Sequence, residues 1–252
     1  MSGYTEVRHT CQGRKLFCKY SQKGTPTVLF IAGLGDSCES WNVVQDRIAR
    51  FTSTLSYDRA GIGRSEAPAL VPRTCHDLAQ ELSELLPRIP VEPPFIVVGH
   101  SFGGLVARLF ASCYPAWVSG IVLVDAAAEY KELAYEKVLP EKLIAGNRAY
   151  LENPLLNQER IDKLRSYKEI ADHSWHGDTP LSIITRGLPD QGDEEWPHRE
   201  ILQIEQRLQA DFQRLSTSTR HRIAERSGHD IHQDEPDIVV EEIMIMLEGW
   251  GK

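Results

Sequence analysis

The chain has 252 residues, of which 41% are hydrophobic and 25% charged, and this composition excludes a disordered, collagen-like or membrane-bundle protein. A chain of this length hides about 73% of its surface on folding, so a sizeable core needs neither disulfides nor a metal. The formal net charge of −8 repels phosphate backbones and anionic lipid, so we expect no nucleic-acid partner and no membrane partner.

Strand-length apolar segments alternate with amphipathic segments in the first half of the chain. Residues 28–32 form a continuous apolar run, which is typical of a strand buried on both faces. The predicted elements are strands at 4–9 and 14–20 joined by a turn at Gln12-Gly13, strands at 27–32, 52–57 and 95–99, a helix with apolar positions Trp41, Val44, Ile48 and Phe51, and a helix at 75–87.

The same alternation continues after residue 100 but is interrupted once. Residues 127–178 are charged and helix-rich and contain no run that predicts a buried strand. Strand, helix and strand at this spacing indicate right-handed βαβ units, and therefore a mostly parallel sheet with an antiparallel N-terminal hairpin. The predicted elements are a helix from Leu105 to Tyr114, strands at 120–125, 180–187 and 220–226, and helices at 198–215 and 235–249.

The sharpest local pattern is Gly-His-Ser-Phe-Gly at residues 99–103, between a predicted strand and a predicted helix. A serine on so tight a turn is forced into a strained backbone conformation, and flanking glycines remove the clashes that would forbid it. Its hydroxyl would then stand at a helix N-terminus, where backbone N–H groups stabilise negative charge. The alternative is that Ser101 caps the helix and the glycines only allow close packing.

A serine hydroxyl needs a base before it becomes a good nucleophile. Of the nine histidines, His229 has the most suggestive position, because it follows a predicted strand in a loop that would return over the sheet. His232 lies three residues later and is the alternative base or a packed neighbour. His100 lies inside the tight turn, and we expect it to pack away from Ser101.

Taken in chain order, several motifs resemble those of the α/β-hydrolase family over nearly the whole length. The resemblance implies the α/β-hydrolase fold, with residues 1–126 and 179–252 as the core and 127–178 as an inserted helical cap. The motifs are VLFIAGLGDS (28–37), YDRAGIGRS (57–65), GHSFGG (99–104), VLVDA (122–126), the Gly-x-x-Asp stretch at 187–190 and GHDIHQDEP (228–236).

The resemblance implies a role for four of these positions. Ser101 would be the nucleophile and His229 the general base. The backbone N–H groups of Leu34 and Phe102 would form the oxyanion hole, which stabilises the charge that develops on the carbonyl oxygen. The chain departs from the commonest family pattern at Ala32, where many relatives have a histidine that steadies the loop.

Two aspartates compete for the third position of the triad. Asp190 fits the commonest family site, after the strand that follows the cap, whereas Asp125 fits an alternative site at the end of the preceding strand. We favour Asp125, because a carboxylate directly after a buried apolar run is costly unless it has a partner. The alternatives are that Asp125 caps a helix and that Asp190 is solvated surface.

No pattern in the sequence predicts a cofactor or a metal. The turn at residues 58–65 lacks the glycine spacing and the lysine of phosphate-binding loops. Two clusters contain ligand-type residues, but neither has a diagnostic spacing. These clusters are Asp172, His173, His176 and Asp178, and His229, Asp230 and His232.

These observations predict a cofactor-free serine hydrolase of the carboxylesterase type, acting on an ester, thioester or lactone of a small acyl substrate. A serine at the turn argues against dehalogenase and epoxide-hydrolase chemistry, which resembling proteins perform with a carboxylate nucleophile. The alternatives are a carbon–carbon bond hydrolase or perhydrolase, and a small-ligand sensor on the same fold. The side chains of Tyr130, Tyr135, Tyr150 and Trp175 suggest an apolar substrate pocket, or else only pack the cap onto the core.

The cysteines and the N-terminal segment bear on localisation. The five cysteines are scattered, odd in number and lack metal-type spacing, which is typical of reduced thiols. The first twenty residues contain no apolar signal region, and the longest apolar runs are too short to span a bilayer. We therefore expect a cytoplasmic protein.

Overall fold

The computed structural model describes residues 3–67, 70–173 and 177–250, and places eight strands in one sheet. Trp175 and His176, which the sequence analysis assigned to the pocket and to a metal cluster, lie outside these residues. The strands are β1 (Thr5–Cys11), β2 (Arg14–Ser21), β3 (Thr27–Ile31), β4 (Thr54–Tyr57), β5 (Phe95–His100), β6 (Val118–Val124), β7 (Leu181–Arg186) and β8 (Thr219–Ala224).

Helices connect and flank these strands. The first three are α1 (Asn42–Ile48), α2 (Cys75–Leu85) and α3 (Phe102–Cys113). The others are α4 (Lys131–Tyr135), α5 (Glu141–Glu152), α6 (Lys163–Asp172), α7 (His198–Ala210), α8 (Ile231–Asp234) and α9 (Pro236–Gly249).

The strand order confirms the predicted topology. The order is β1-β2-β4-β3-β5-β6-β7-β8, with β1, β2 and β4 paired antiparallel and the remaining neighbours parallel. The predicted turn between β1 and β2 has Gln12 and Gly13 both at positive φ, as a two-residue hairpin turn requires. The carboxyl ends of β3, β5, β6 and β7 therefore lie along one edge of the sheet.

The continuous apolar runs are explained by burial on both faces of the sheet. In β5, Phe95 and Val97 pack into a cluster with α2 and α3, whereas Ile96 and Val98 pack into the opposite cluster with α1 and α9. A strand buried in this way has no polar face, so its sequence shows no alternation.

Helix ends differ from the predictions by a few residues. The helices predicted at 75–87 and 198–215 end at Leu85 and Ala210, and each chain segment continues as a 3-10 turn. The apolar face predicted from Trp41 to Phe51 ends at Ile48, and Phe51 is 57% exposed. Propensity and spacing do not record where tertiary packing stops a helix.

The segment between β6 and β7 contains α4, α5 and α6, and its described residues contain no strand. Tyr135 and Leu139 of this segment pack against Ile201 of α7 in a small cluster of their own. The division of the chain into a core and a cap stays a prediction. Within the described ranges, no helix combines the length and the apolarity needed to cross a membrane.

Two glycines in helices give opposite expectations for the free energy of unfolding. A Cβ on Gly103 would meet the carbonyl oxygen of Ile31 and lie 2.6 Å from that of Ala32, whereas a Cβ on Gly146 would meet nothing within 4 Å. We expect Gly103→Ala to destabilise the protein by about 1–3 kcal/mol through overpacking. Gly146→Ala should stabilise it by about 0.5–1 kcal/mol by favouring the helix. Urea unfolding midpoints measure both, and equal effects would contradict the packing described here.

Candidate active site

Ser101 lies between β5 and α3, at the predicted tight turn. Its backbone has φ 50° and ψ −120°, a conformation that non-glycine residues adopt only under constraint. Its N–H donates to the carbonyl of Val124 at 3.1 Å, and its own carbonyl accepts from Ala127 at 2.9 Å. A Cβ on Gly99 would lie 2.5 Å from the carbonyl oxygen of Gly103, so only glycine allows this approach.

The capping alternative for Ser101 is wrong. Its side chain makes no hydrogen bond to the N–H groups of α3, although the residue occupies the N-cap position. The hydroxyl instead lines a cavity of about 320 Å³ at the helix N-terminus. This leaves the oxygen available to a molecule in the cavity.

His229 lies on the loop after β8 and is paired with Asp125. Its Nδ1 lies 2.6 Å from Oδ2 of Asp125. The other carboxylate oxygen accepts a hydrogen bond from Gln209 at 2.9 Å, and the Arg186 guanidinium lies 3.6 Å from Oδ2. Within the described residues Asp125 accepts no bond from the N–H groups that follow it, so the capping alternative for Asp125 is also wrong.

Burial and charge act in opposite directions on this pair. Burial raises the pKa of Asp125. The hydrogen bond from His229 and the positive charges of His229 and Arg186 lower that pKa by more than burial raises it, so the carboxyl is ionised. Burial lowers the pKa of His229, and the carboxylate outweighs it, so the pKa is raised above 6.5. An ionised carboxylate only accepts, so Nδ1 carries the proton and Nε2 is free to act as a base.

Asp190, the alternative acid, binds a different group. Its carboxylate pairs with the guanidinium of Arg186, and its side chain is 46% exposed. The same guanidinium contacts Asp125, so the two candidate aspartates lie on one cation. Only Asp125 reaches His229.

The two predicted oxyanion-hole residues line the cavity with Ser101 and His229. Among the described residues, no acceptor binds the N–H of Leu34. The N–H of Phe102 belongs to the first turn of α3, where backbone donors have no partner within the helix. Neither N–H therefore has an acceptor among the described residues, as the predicted oxyanion hole requires.

The serine and the imidazole face this cavity without a direct bond. Over the part of the chain that the structure describes, no hydrogen bond joins Ser101 to His229. Hydrogen bonds of this kind are often long before a substrate is bound and tighten in the complex.

Two further histidines, His100 and His232, lie next to the base or pack against its neighbour. His100 is buried, and its Nε2 lies 3.0 Å from the carbonyl oxygen of His229. Its ring centroid lies 4.6 Å from that of His229 and 4.4 Å from that of His232. His232, the alternative base, is fully buried and does not line the cavity. His100 thus packs as expected, and it also contacts the loop that carries His229.

One group within the described residues could hold a metal ion. The donor atoms of His100, Asp230 and His232 lie within 4.8 Å of one another. Asp230 and His232 belong to a cluster noted in the sequence. His100 Nε2 already faces the carbonyl oxygen of His229, so this group is tied to the loop that carries the base.

The cavity lining is mixed: charged side chains from the segment between β6 and β7 lie beside the apolar and aromatic side chains of Leu34, Phe102, Ala127, Tyr167 and Trp196. Lys131, Glu132 and Lys163 contribute to the lining, together with the predicted Tyr135 and Tyr150. The predicted Tyr130 does not, because its ring packs on Tyr167 at 5.2 Å. A second cavity of about 310 Å³ shares Lys131, Tyr135, Trp196 and His229 with the first.

The sequence analysis missed the ion network behind Asp125. Arg186 binds Glu205 at 2.5 Å, and Glu205 binds Lys131 at 2.9 Å. Burial lowers the pKa of Arg186, but Glu205, Asp125 and Asp190 raise it further, so the guanidinium keeps its charge. A signal for Arg186 was present, since it ends an apolar strand as Asp125 follows one.

Comparison with known proteins places the chain among hydrolases of one fold. The sequence matches the Alpha/beta hydrolase family over residues 28–242. The Bacillus subtilis (strain 168) protein YqjL is 29% identical over 244 residues, which cover 94% of this chain and 90% of YqjL. The solved structure of Cfl2 from Burkholderia cenocepacia matches with a TM-score of 0.70 at 19% identity, over 96% of this chain and 95% of that chain. The epoxide hydrolase CorEH matches with a TM-score of 0.68 at 16% identity, over 98% and 99%.

The pairing of His229 can be tested by NMR titration of its ring. A carboxylate stabilises the imidazolium, so Asp125→Asn should lower the pKa of His229. Asp190→Asn should leave it nearly unchanged, because Asp190 binds Arg186 instead. The signal is assigned by its loss in His229→Ala. A larger decrease in Asp190→Asn than in Asp125→Asn would contradict the geometry.

Proposed function

The chain belongs to the alpha/beta hydrolase family, and on that premise we propose that it is a serine hydrolase that cleaves an ester, thioester or lactone. The observation that carries the proposal is the 2.6 Å contact between His229 Nδ1 and Asp125. This contact holds the imidazole proton on Nδ1 and leaves Nε2, the other ring nitrogen, to act as the base. The strained turn at Ser101 and two open N–H groups at the same cavity support the same chemistry.

In the first half-reaction the Ser101 oxygen attacks the substrate carbonyl carbon while Nε2 of His229 takes the hydroxyl proton. The carbonyl oxygen becomes an oxyanion between the N–H groups of Leu34 and Phe102. In related acyl-transfer sites one such donor is worth about 3–4 kcal/mol. The ionised Asp125 stabilises the imidazolium, which then protonates the leaving oxygen or sulfur as its bond to carbon breaks.

In the second half-reaction water attacks the acyl-enzyme. His229 takes a proton from the water, and the same two N–H groups hold the second oxyanion. The bond to Ser101 breaks, and the imidazolium returns a proton to its oxygen. The cycle needs no cofactor.

The match to CorEH concerns the fold, because its sequence identity is 16%. The nucleophile position of this chain carries a hydroxyl, so an acyl-enzyme ester is the intermediate it can form. We therefore assign acyl transfer rather than epoxide opening. Cytoplasmic localisation stays our prediction, and the five cysteines are free thiols in the structure.

The size of the cavity indicates a small acyl group. The cavity is about 320 Å³, and its lining includes Glu132 and Lys163, paired at 3.0 Å. An aliphatic chain gains about 0.8 kcal/mol per CH₂ only when it leaves water for apolar surroundings. The apolar and aromatic side chains of the lining provide such surroundings, whereas the paired ions of Glu132 and Lys163 do not.

Fluorophosphonate labelling tests the nucleophile and the base. We expect the parent protein to be labelled at Ser101, Ser101→Ala not to be labelled, and His229→Ala to react at least about a hundredfold more slowly because general-base catalysis is lost. Mass spectrometry of the labelled peptide provides the measurement. Circular dichroism controls for folding.

Other outcomes identify other functions. Equal labelling of the parent and of Ser101→Ala would contradict the assignment. Peroxide-dependent halogenation without ester turnover would indicate a perhydrolase. Ligand-induced thermal stabilisation with negligible turnover would indicate a sensor.

A series of p-nitrophenyl esters tests the polarity of the acyl site. We expect kcat/KM to stop rising before octanoate, because the cavity is small and the ion pair of Glu132 and Lys163 interrupts its apolar lining. In an apolar pocket each added CH₂ would raise kcat/KM about fourfold, which corresponds to about 0.8 kcal/mol. A continuous rise with chain length would contradict this interpretation.

A further inference from the structure

The loop that carries the Leu34 N–H has no side chain able to fix its own conformation. Residues 32–35 are Ala-Gly-Leu-Gly, which offer neither a donor nor an acceptor beyond the backbone. Gly35 has φ 84°, in the region that glycine adopts freely. Within the loop, a turn hydrogen bond from the N–H of Asp36 to the carbonyl oxygen of Gly33, at 3.2 Å, spans Leu34. Further restraint on the direction of the Leu34 N–H must come from contacts outside the loop.

Two buried charged side chains provide these contacts on both sides of Leu34. Before it, the Arg59 guanidinium donates to the carbonyl oxygens of Ala32 at 2.7 Å and Gly33 at 2.5 Å. After it, the N–H of Gly35 donates to Oε1 of Glu159 at 2.9 Å.

Arg59 and Glu159 are also bound to each other. The Nε and Nη2 of Arg59 donate to the two carboxylate oxygens at 2.7 Å each, a bidentate arrangement with fixed geometry. Their side chains are 1% and 0% exposed. Burial raises the pKa of Glu159. The charge of Arg59 and the hydrogen bonds it donates lower that pKa by more than burial raises it, so both groups keep their charges.

The two partners come from distant parts of the chain. Arg59 follows β4, whereas Glu159 lies in the segment between β6 and β7, one hundred residues later. This segment also provides Lys131, Glu132 and Lys163 to the cavity. The same stretch of chain thus lines the cavity and contacts the loop beneath it.

We infer that Glu159, bound to Arg59, is a positioning residue that sets the direction of the Leu34 N–H and so completes the oxyanion hole. The inference rests on the serine-hydrolase function proposed above. It assigns to the segment between β6 and β7 a part in stabilising the transition state, in addition to lining the cavity. A purely structural ion pair would support folding without affecting the rate of the chemical step.

The test compares Glu159→Gln with the loss of another buried carboxylate, Glu242, whose arginine partners Arg220 and Arg222 are 53% and 36% exposed. Glu242 is fully buried and binds Arg220 and Ser182, with no contact to the loop. Glu242→Gln therefore removes a similar carboxylate at a distance. Glu159→Asp, which withdraws the carboxylate from Gly35, serves as the second variant if Glu159→Gln does not fold.

Two readouts separate positioning from stability. The first is steady-state hydrolysis of p-nitrophenyl acetate, giving kcat and KM. The second is inhibition by an aryl trifluoromethyl ketone, whose adduct with Ser101 places an oxyanion in the hole. Thermal unfolding is recorded for every variant.

We expect Glu159→Gln to lower kcat by about 10–100-fold, since loss of one oxyanion donor costs 10²–10³ and here the donor is misdirected rather than removed. KM should stay within about threefold, and inhibition should weaken by the same factor as kcat/KM. Glu242→Gln should keep kcat within about twofold.

The inference is overturned if the Glu159 variants keep kcat within about twofold, lose only what Glu242→Gln loses, or change KM alone. These results differ from failure of the proposed function itself. If the parent protein neither hydrolyses the ester nor reacts with a fluorophosphonate at Ser101, the serine-hydrolase proposal fails first.

Discussion

The backbone of Ser101 occupies the left-handed region because β5 and α3 approach so closely that no other path joins them. The position costs about 1–3 kcal/mol in local strain. Hydrogen bonds between the backbone of Ser101 and those of Val124 and Ala127 stabilise this conformation. They join the turn to the end of β6, which Asp125 directly follows. These hydrogen bonds thus position the Ser101 hydroxyl and the Asp125 carboxylate at the ends of adjacent strands. The hydrogen bond between Asp125 and His229 brings the imidazole to the same edge of the sheet.

Opposite charges alternate behind the imidazole, from Asp125 to Arg186, Glu205 and Lys131. Each of these groups is largely buried and is compensated by its neighbours, which is the condition under which buried charge is tolerated. The arrangement keeps Asp125 ionised without leaving a net charge in the interior. It also accounts for one charged group in the cavity wall, since Lys131 belongs both to this network and to the lining.

Local pattern was sufficient for the strands, their mostly parallel arrangement and the turn at Ser101, because burial on both faces leaves a direct trace in the sequence. It did not predict the order of the strands in the sheet. It did not decide between Asp125 and Asp190, since each follows a strand and both reach the same guanidinium. Contacts such as that of Arg59 with Glu159 join residues far apart in the chain. Such contacts form only because of the way the segment between β6 and β7 packs against the rest of the chain. The local sequence does not predict that packing.

The order of the strands leaves β1 and β8 at the two edges of the sheet, where unpaired backbone groups could template the addition of another chain. Both edges carry charge: Glu6 and Arg8 are exposed on β1, and Arg220 and Arg222 on β8 bind carboxylates of α9. A further strand at either edge would have to strip water from these groups. Charged side chains at both edges therefore disfavour the addition of a further strand.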